Sequence, residues 1–227
     1  MSAPNARDVT LAVIAKEPVA GRVKTRLCPP CTPEDAAAIA AAALADTIDA
    51  ALASAASRVV VVLDGEPGPW LAPGMDVVAQ RGGGLDERLA AAVVDVGGPL
   101  VVVGMDTPQL TADLLDAALA RLVAPGTDAV LGPADDGGYW CIGLRVADPE
   151  VFRGVPMSTA ETGRAQVAAL GRRGLTVGLL PTRRDVDRFD DAVAVAAASP
   201  GGRFAAAVTA VATRVDGRPS SGAVVVR

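Results

Sequence analysis

Four stretches concentrate the side chains able to hold charged ligands. In the first, Lys16 to Arg26 (KEPVAGRVKTR), Arg22, Lys24 and Arg26 recur at every second position beside Gly21, Thr25 and the earlier cation Lys16. Guanidinium forks and an ammonium on such a loop can wrap a polyphosphate. The same residues suit a solvated basic turn, and the spacing is neither that of a Walker loop nor of a G-x-G-x-x-G fingerprint. The second, Leu100 to Leu110 (LVVVGMDTPQL), carries a single carboxylate, Asp106, out of a valine-rich run. Pro108 cannot continue a ladder and biases Thr107 away from the helical region. Asp106 is then either a ligand-binding acid at the carboxyl end of a strand, where open α/β sheets bind ligands, or the first residue of a turn.

The third stretch is Asp185-Val186-Asp187, flanked by Arg183, Arg184 and Arg188. Residues two apart in an extended segment point the same way, so both carboxylates can share a hard cation; alternatively Asp187 caps a helix beginning near Arg188. The fourth, Gly132 to Tyr139 (GPADDGGY), places Asp135 and Asp136 before Gly137 and Gly138. That pattern suits a tight turn and equally a base poised over a substrate. A glycine run at Gly82, Gly83 and Gly84 can turn backbone amides toward a ligand, or serve a hairpin or helix entry.

The composition narrows the chemistry. With no histidine, Ser-His-Asp and Cys-His catalysis and every histidine-containing metal site are excluded, and oxygen-ligated divalent metals become the default. Cys28 and Cys31 have C-x-x-C spacing, but zinc needs four ligands and only Cys141 remains, so the spacing reads as coincidence. A net charge of -5 argues against a nucleic-acid surface. No apolar run reaches the length of a membrane span, and Lys16 follows the first strand too closely for a signal peptide. A cytoplasmic enzyme without a membrane partner is expected.

Short valine-rich runs alternating with alanine-rich stretches predict repeated βα units in one domain. Strands are expected near Val9 to Ala15, Arg58 to Leu63, Asp76 to Gln80, Leu100 to Met105, Asp128 to Gly132, Tyr139 to Leu144 and Leu175 to Leu180. Thr32-Pro33-Glu34-Asp35 starts a long helix running to about Ala56, by cap, proline and dipole. Thr111 caps a helix carrying Leu114, Leu115, Ala118, Leu119 and Leu122, with Leu110 stapling on Leu115. Ser158 and Glu161 have capping-box spacing for a helix from Thr159 to Arg173. A last helix is expected over Arg203 to Arg214, then a loosely held tail.

Taken in order, AKEPVAGRVKTRL, VVVGMDTPQL, GPADDGGYWCIGL and DVDRFDD resemble the DUF2064 family, often labelled rSAM/selenodomain-associated or arsenosugar-type glycosyltransferases. That family is similar to the nucleotide-diphospho-sugar transferases of GT-A fold, a group that includes molybdenum-cofactor and phospholactate guanylyltransferases. The resemblance covers roughly Val9 to Val195. It implies a single-domain, Rossmann-like α/β fold, with a mixed, mostly parallel sheet between helices, over residues 1–214, followed by a flexible tail at 215–227. It further implies that Arg22, Lys24 and Arg26 neutralise phosphates, that Asp106, Asp185 and Asp187 hold Mg²⁺ or Mn²⁺, and that Asp136, Gly137 and Gly138 meet an acceptor.

Combined with the residue readings, the expected site assigns Asp136 and Lys24 to catalysis. Lys16, Gly21, Arg22, Lys24, Arg26, Gly82 and Gly83 would face the nucleotide, and Asp136, Gly137, Gly138 and Tyr139 the acceptor. Three departures stand out. Gly84 occupies an aspartate position and Asp86 a glycine position of the Gln-x-Gly-Gly-Asp-Leu-Gly motif; Arg188 and Phe189 replace Thr-Pro; and Cys31 replaces an apolar residue. The expected activity is glycosyl transfer from a nucleotide sugar to a small acceptor. The alternatives are nucleotidyl transfer from an NTP with loss of pyrophosphate, and a non-catalytic nucleotide-binding module.

Overall fold

The computed structural model describes residues 5–216. Its framework is one seven-stranded sheet formed by β1 (Thr10–Lys16), β2 (Arg58–Asp64), β3 (Asp76–Ala79), β4 (Leu100–Gly104), β5 (Ala129–Pro133), β6 (Tyr139–Leu144) and β7 (Val177–Leu179). The spatial order is β3-β2-β1-β4-β6-β5-β7, and only β6 runs antiparallel to its neighbours. The sheet is therefore mixed and mostly parallel, as expected, and every anticipated strand is present with slightly trimmed ends at β3 and β7.

Adjacent strand residues sort onto opposite faces, and residues two apart share one. Leu11, Val13, Val61, Leu63, Val101 and Val103 pack with α1 (Pro33–Leu52) and α3 (Ala112–Val123). Ala12, Val60, Val62, Leu100, Val102 and Ile142 pack with α2 (Leu85–Val96) and with Leu170 of α4 (Thr162–Arg172). A third layer then covers the far side of α1. There Ala36, Ile39 and Ala43 meet Ala192 and Val195 of α5 (Phe189–Ala198) and Phe204 and Val208 of α6 (Gly202–Asp216). Because α1 is buried on two sides, alanine is its principal residue: only a small side chain lets helix and sheet approach closely without overpacking.

Several local expectations hold. Thr32 and Asp35 exchange hydrogen bonds at the start of α1, and the Thr111 hydroxyl accepts the Leu114 amide at the start of α3. Leu110 and Leu115 lie in one core cluster. Others are corrected. Helix α1 stops at Leu52, not Ala56, where the Ser54 hydroxyl donates to the Ala51 carbonyl. Helix α4 begins at Thr162, not Thr159: Ser158 adopts a left-handed φ of 59°, and the Thr162 hydroxyl accepts the Thr159 amide while donating to the Pro156 carbonyl. Asp187 does not cap α5; Arg188 occupies the cap and gives its amide to Asp191. Helix α2 was not anticipated, although Leu85, Leu89, Ala92 and Val93 carry helical spacing and Gly97 ends it with a positive φ of 69°. Helix α6 passes the expected boundary by two residues, and the remainder of the anticipated tail lies outside the described residues.

Trp140 ties the sheet to the segment after β7, its indole N–H donating to the Pro181 carbonyl at 3.0 Å. Its ring covers Gly132, where an added Cβ would lie 2.4 Å from the ring. Gly132→Ala is expected to displace Trp140 and destabilise the fold by about 1–3 kcal/mol, read as a lower urea midpoint with unchanged m-value.

Candidate active site

A cavity of about 640 Å³ opens over the carboxyl ends of β1 and β4. That volume suits a nucleotide-sized ligand. Its walls come from the loop after β1, from Met105 to Thr107 after β4, from the β5–β6 turn, from Met157 to Thr162, and from the Asp185–Asp187 segment. Of the expected residues, Lys16, Arg22, Lys24, Arg26, Gly83, Asp106, Asp136, Gly138, Tyr139, Asp185 and Asp187 line it.

Lys24 sits at the centre. Its backbone is left-handed, with φ 49° and ψ 36°, and its side chain is only 10% exposed. The ammonium lies 2.6 Å from Asp106 Oδ1 and also donates to the Val186 carbonyl. The acid at the end of β4, the loop after β1 and the segment before α5 are thus joined through one nitrogen.

The Asp185–Asp187 segment is laid down by backbone bonds. Arg183 bridges in parallel to Ala134, with its amide on the Pro133 carbonyl and its carbonyl on the Asp135 amide. The Gln109 amide donates to the Arg184 carbonyl at 2.7 Å, and the Val186 amide to the Asp106 carbonyl at 3.0 Å. Val186 turns into the core among α1, α5 and α6, so Asp185 and Asp187 turn together toward the cavity, as the alternation requires. Asp187 then meets Arg26 Nη1 through both carboxylate oxygens, at 3.1 and 3.0 Å. Among the described residues Asp185 is left without a cation of its own. Burial, then the nearby charge of Asp106, pushes its carboxyl from 3.8 up to about 7; Lys24 opposes the shift, while Asp136 and Asp187 add to it.

At the opposite wall, Asp136 is exposed and accepts the Gly138 amide at 2.8 Å. The Tyr139 hydroxyl bonds Gln166 Oε1 at 3.3 Å, and burial raises it above its ordinary value, which suits a neutral polar wall. Gly137 does not face the cavity. Its φ is 88°, and a Cβ there would lie 2.1 Å from the Ala160 carbonyl oxygen. The glycine is required where the β5–β6 turn packs against the entry to α4, whose Gly163 amide donates to the Gly137 carbonyl at 2.8 Å. Gly21 and Gly82 also stand outside the lining and are conformational residues, with φ of 77° and 112°.

Sequence reasoning missed one end of the cavity. Gln80, Leu85, Arg88 and Leu89 line it, brought there by β3 and α2. Gln80 spends both amide hydrogens on the Ala15 and Val62 carbonyls, at 2.8 and 3.0 Å. Arg88 Nη1 lies 2.7 Å from Asp64 Oδ2. It also missed Met157, Ser158, Thr159 and Thr162. The signal available for the first group was the helical spacing of Leu85 and Leu89, with Arg88 on the same face.

The family model of DUF2064, described as an uncharacterized protein conserved in bacteria, matches residues 38–159. The chain belongs to the DUF2064 family. Among solved structures, a candidate nucleotide-diphospho-sugar transferase from Desulfovibrio desulfuricans is 28% identical; the match covers 92% of this chain and 95% of that one, with a TM-score of 0.79. A nucleotidyl transferase from Methanothermobacter shares the fold at 17% identity, covering 82% of this chain and 95% of that one, with a TM-score of 0.54. So does a Mycobacterium tuberculosis protein solved with manganese, at 24% identity, 84% and 98% coverage and a TM-score of 0.50. No curated protein matches. The fold is thus that of nucleotide-sugar and nucleotidyl transferases.

In this DUF2064 chain the donor set around Asp185 is all oxygen, and the carboxylates exceed the cations that pair them, which suits a hard divalent ion. They do not form a ready three-ligand cage: Asp106 is engaged by Lys24 and Asp187 by Arg26. Cys28, Cys31 and Cys141 are free, and burial pushes Cys31 up to about 11.

The raised Asp185 fixes the sign of a pH effect. Between 3.8 and about 7 the folded chain holds a proton that the unfolded chain has lost, so stability falls as pH rises through that window. Asp185→Asn, neutral throughout, is expected to gain thermal stability over the parent as pH rises from about 5 to about 8 in chelator-treated buffer. Melting curves of the pair across that range check it, and a difference independent of pH would count against the shift.

Proposed function

We propose that this chain is a cytoplasmic transferase, dependent on Mg²⁺ or Mn²⁺, that moves a glycosyl group from a nucleotide-sugar donor to a small acceptor. The observation that carries this is the meeting, in one cavity, of the cations following β1 with the carboxylates that end β4 and precede α5. A diphosphate calls for the first set, and the hard cation that accompanies it calls for the second. Residues 1–214 form the catalytic unit in this reading.

Arg22, Lys24 and Arg26 hold the donor's phosphates. Asp106, Asp185 and Asp187 would hold the divalent ion, which when bound supplies Lewis-acid stabilisation of the departing diphosphate. Lys24 links the two events, because an ammonium seated on Asp106 must leave it for a cation to enter, and an incoming phosphate gives the ammonium a new partner. Arg26 stands in the same relation to Asp187. Asp136 accepts the proton of the acceptor hydroxyl as its oxygen bonds to the anomeric carbon. The bond from that carbon to the phosphate oxygen breaks with its electron pair, and the nucleoside diphosphate leaves.

Incubation with a panel of nucleotide sugars and acceptors is expected to release nucleoside diphosphate only when Mg²⁺ or Mn²⁺ is present. Asp106→Ala should lower kcat/KM by about 100-fold or more. Release of pyrophosphate from an NTP would instead assign nucleotidyl transfer. Lys24→Met is expected to divide the two roles of that residue: Mn²⁺ should bind the nucleotide-free variant about tenfold more tightly, since a competing ammonium is gone, while donor turnover falls. Calorimetry with Mn²⁺ alone reads the first effect, and unchanged affinity would remove Lys24 from the cation site.

A further inference from the structure

We propose that Arg88 reads the nucleobase of the donor and selects guanine through its O6 and N7. The inference rests on the nucleotide-sugar reading above. At the end of the cavity beyond Lys16, Leu85, Arg88 and Leu89 stand on one face of α2, at positions i, i+3 and i+4. Leu89 is buried in the core, but Leu85 is 41% exposed and turns an apolar surface into the cavity, with Ile14 also lining this end. Apolar walls with a donor group at their edge match a planar heterocycle.

The donor group is set by its neighbours. Asp64 takes Nη1 of Arg88 at 2.7 Å, and Gln80 Oε1 lies 3.5 Å from the same nitrogen, so the guanidinium is held on one side. Its side chain is 25% exposed, and among the described residues Nε and Nη2 have no hydrogen-bond partner. Gln80 cannot read a base by donating, since both amide hydrogens are on backbone carbonyls. What remains is a fork of N–H donors, Nε and Nη2, that no acceptor among the described residues engages. Two adjacent acceptors answer that fork: on the edge turned away from the glycosidic bond guanine offers O6 and N7, whereas adenine places its N6 amino group and cytosine its N4 amino group there and uracil offers a single O4; cytosine's own acceptor pair, O2 and N3, lies on the glycosidic side.

Titration of the wild-type protein with nucleoside diphosphates and Mg²⁺ tests this without a variant. GDP and inosine diphosphate, which keep both acceptors, are expected to bind alike. 7-Deazaguanosine diphosphate, lacking N7, and ADP, UDP and CDP are expected to bind about 10- to 100-fold more weakly than GDP. Arg88→Lys keeps the charge facing Asp64 but loses the fork, and should bring all six ligands within a few-fold of one another. Equal binding of GDP and the deaza analogue, a flat ranking of bases, or a ranking led by another base would overturn the assignment and leave the nucleotide-sugar reading standing. Binding of no nucleotide would overturn both.

Discussion

One ion pair organises the site: the Lys24 ammonium against Asp106 at 2.6 Å, with the Val186 carbonyl as its second acceptor. Its worth is positional more than energetic. Asp106 is 47% exposed, so solvent screens the attraction and much of the Coulomb energy is lost. The Lys24 stem is nevertheless buried, and its backbone is held in a left-handed turn that non-glycine residues seldom adopt. A residue kept in such a conformation, with its charge brought to a carboxylate at a strand end, aims the whole loop after β1 at the cavity.

The same contact explains why the Asp185–Asp187 segment belongs to a site otherwise built from the first half of the sheet. Three things fix that segment: Trp140 on Pro181, the parallel bridge at Arg183, and Val186 buried under α1, α5 and α6. These contacts, with the Val186 amide on the Asp106 carbonyl, bring Asp185 toward Asp106 although the electrostatic result is unfavourable, since burial and then the charge of Asp106 push its carboxyl up to about 7. Packing has overruled charge repulsion. The third helical layer is therefore part of the site's construction, because burying Val186 against Ala36, Ile39 and Ala192 is what turns the two flanking acids outward.

Much of this was legible in the sequence, and the rest was hidden for physical reasons. Strands were recognisable because each is a short valine- or apolar-rich run between turn residues, and the acids at 106, 185 and 187 because each sits at the end of such a run or alternates with a valine. Strand order was not, since it depends on which faces helices cover. Helix α2 was masked by Gly82, Gly83 and Gly84, which read as loop until Leu85 and Leu89 are seen to share the face of Val93. Arg88 was masked with it: an arginine on an unrecognised helix looks like ordinary surface. The start of α4 was misplaced because Ser158 turns left-handed and the Thr159 amide goes to the Thr162 hydroxyl, so that Ser158 does not serve as the cap.

At Gly137 the β5–β6 turn bears out the tight-turn reading of its glycines. Gly137 and Gly138 stand beside a catalytic candidate, which invites the reading that small residues leave room for an acceptor. Space tells otherwise at Gly137, where the room is already filled by the Ala160 carbonyl. Gly163 repeats the pattern from the other side, its missing Cβ replaced by the Gly137 and Gly138 carbonyls at 3.0 and 2.8 Å. Two backbones have been brought into contact so that the entry of α4, carrying Met157 to Thr162, becomes the far wall of the cavity. The glycines thus bring one wall of the cavity in, while Asp136, fixed by the Gly138 amide, faces the space that results.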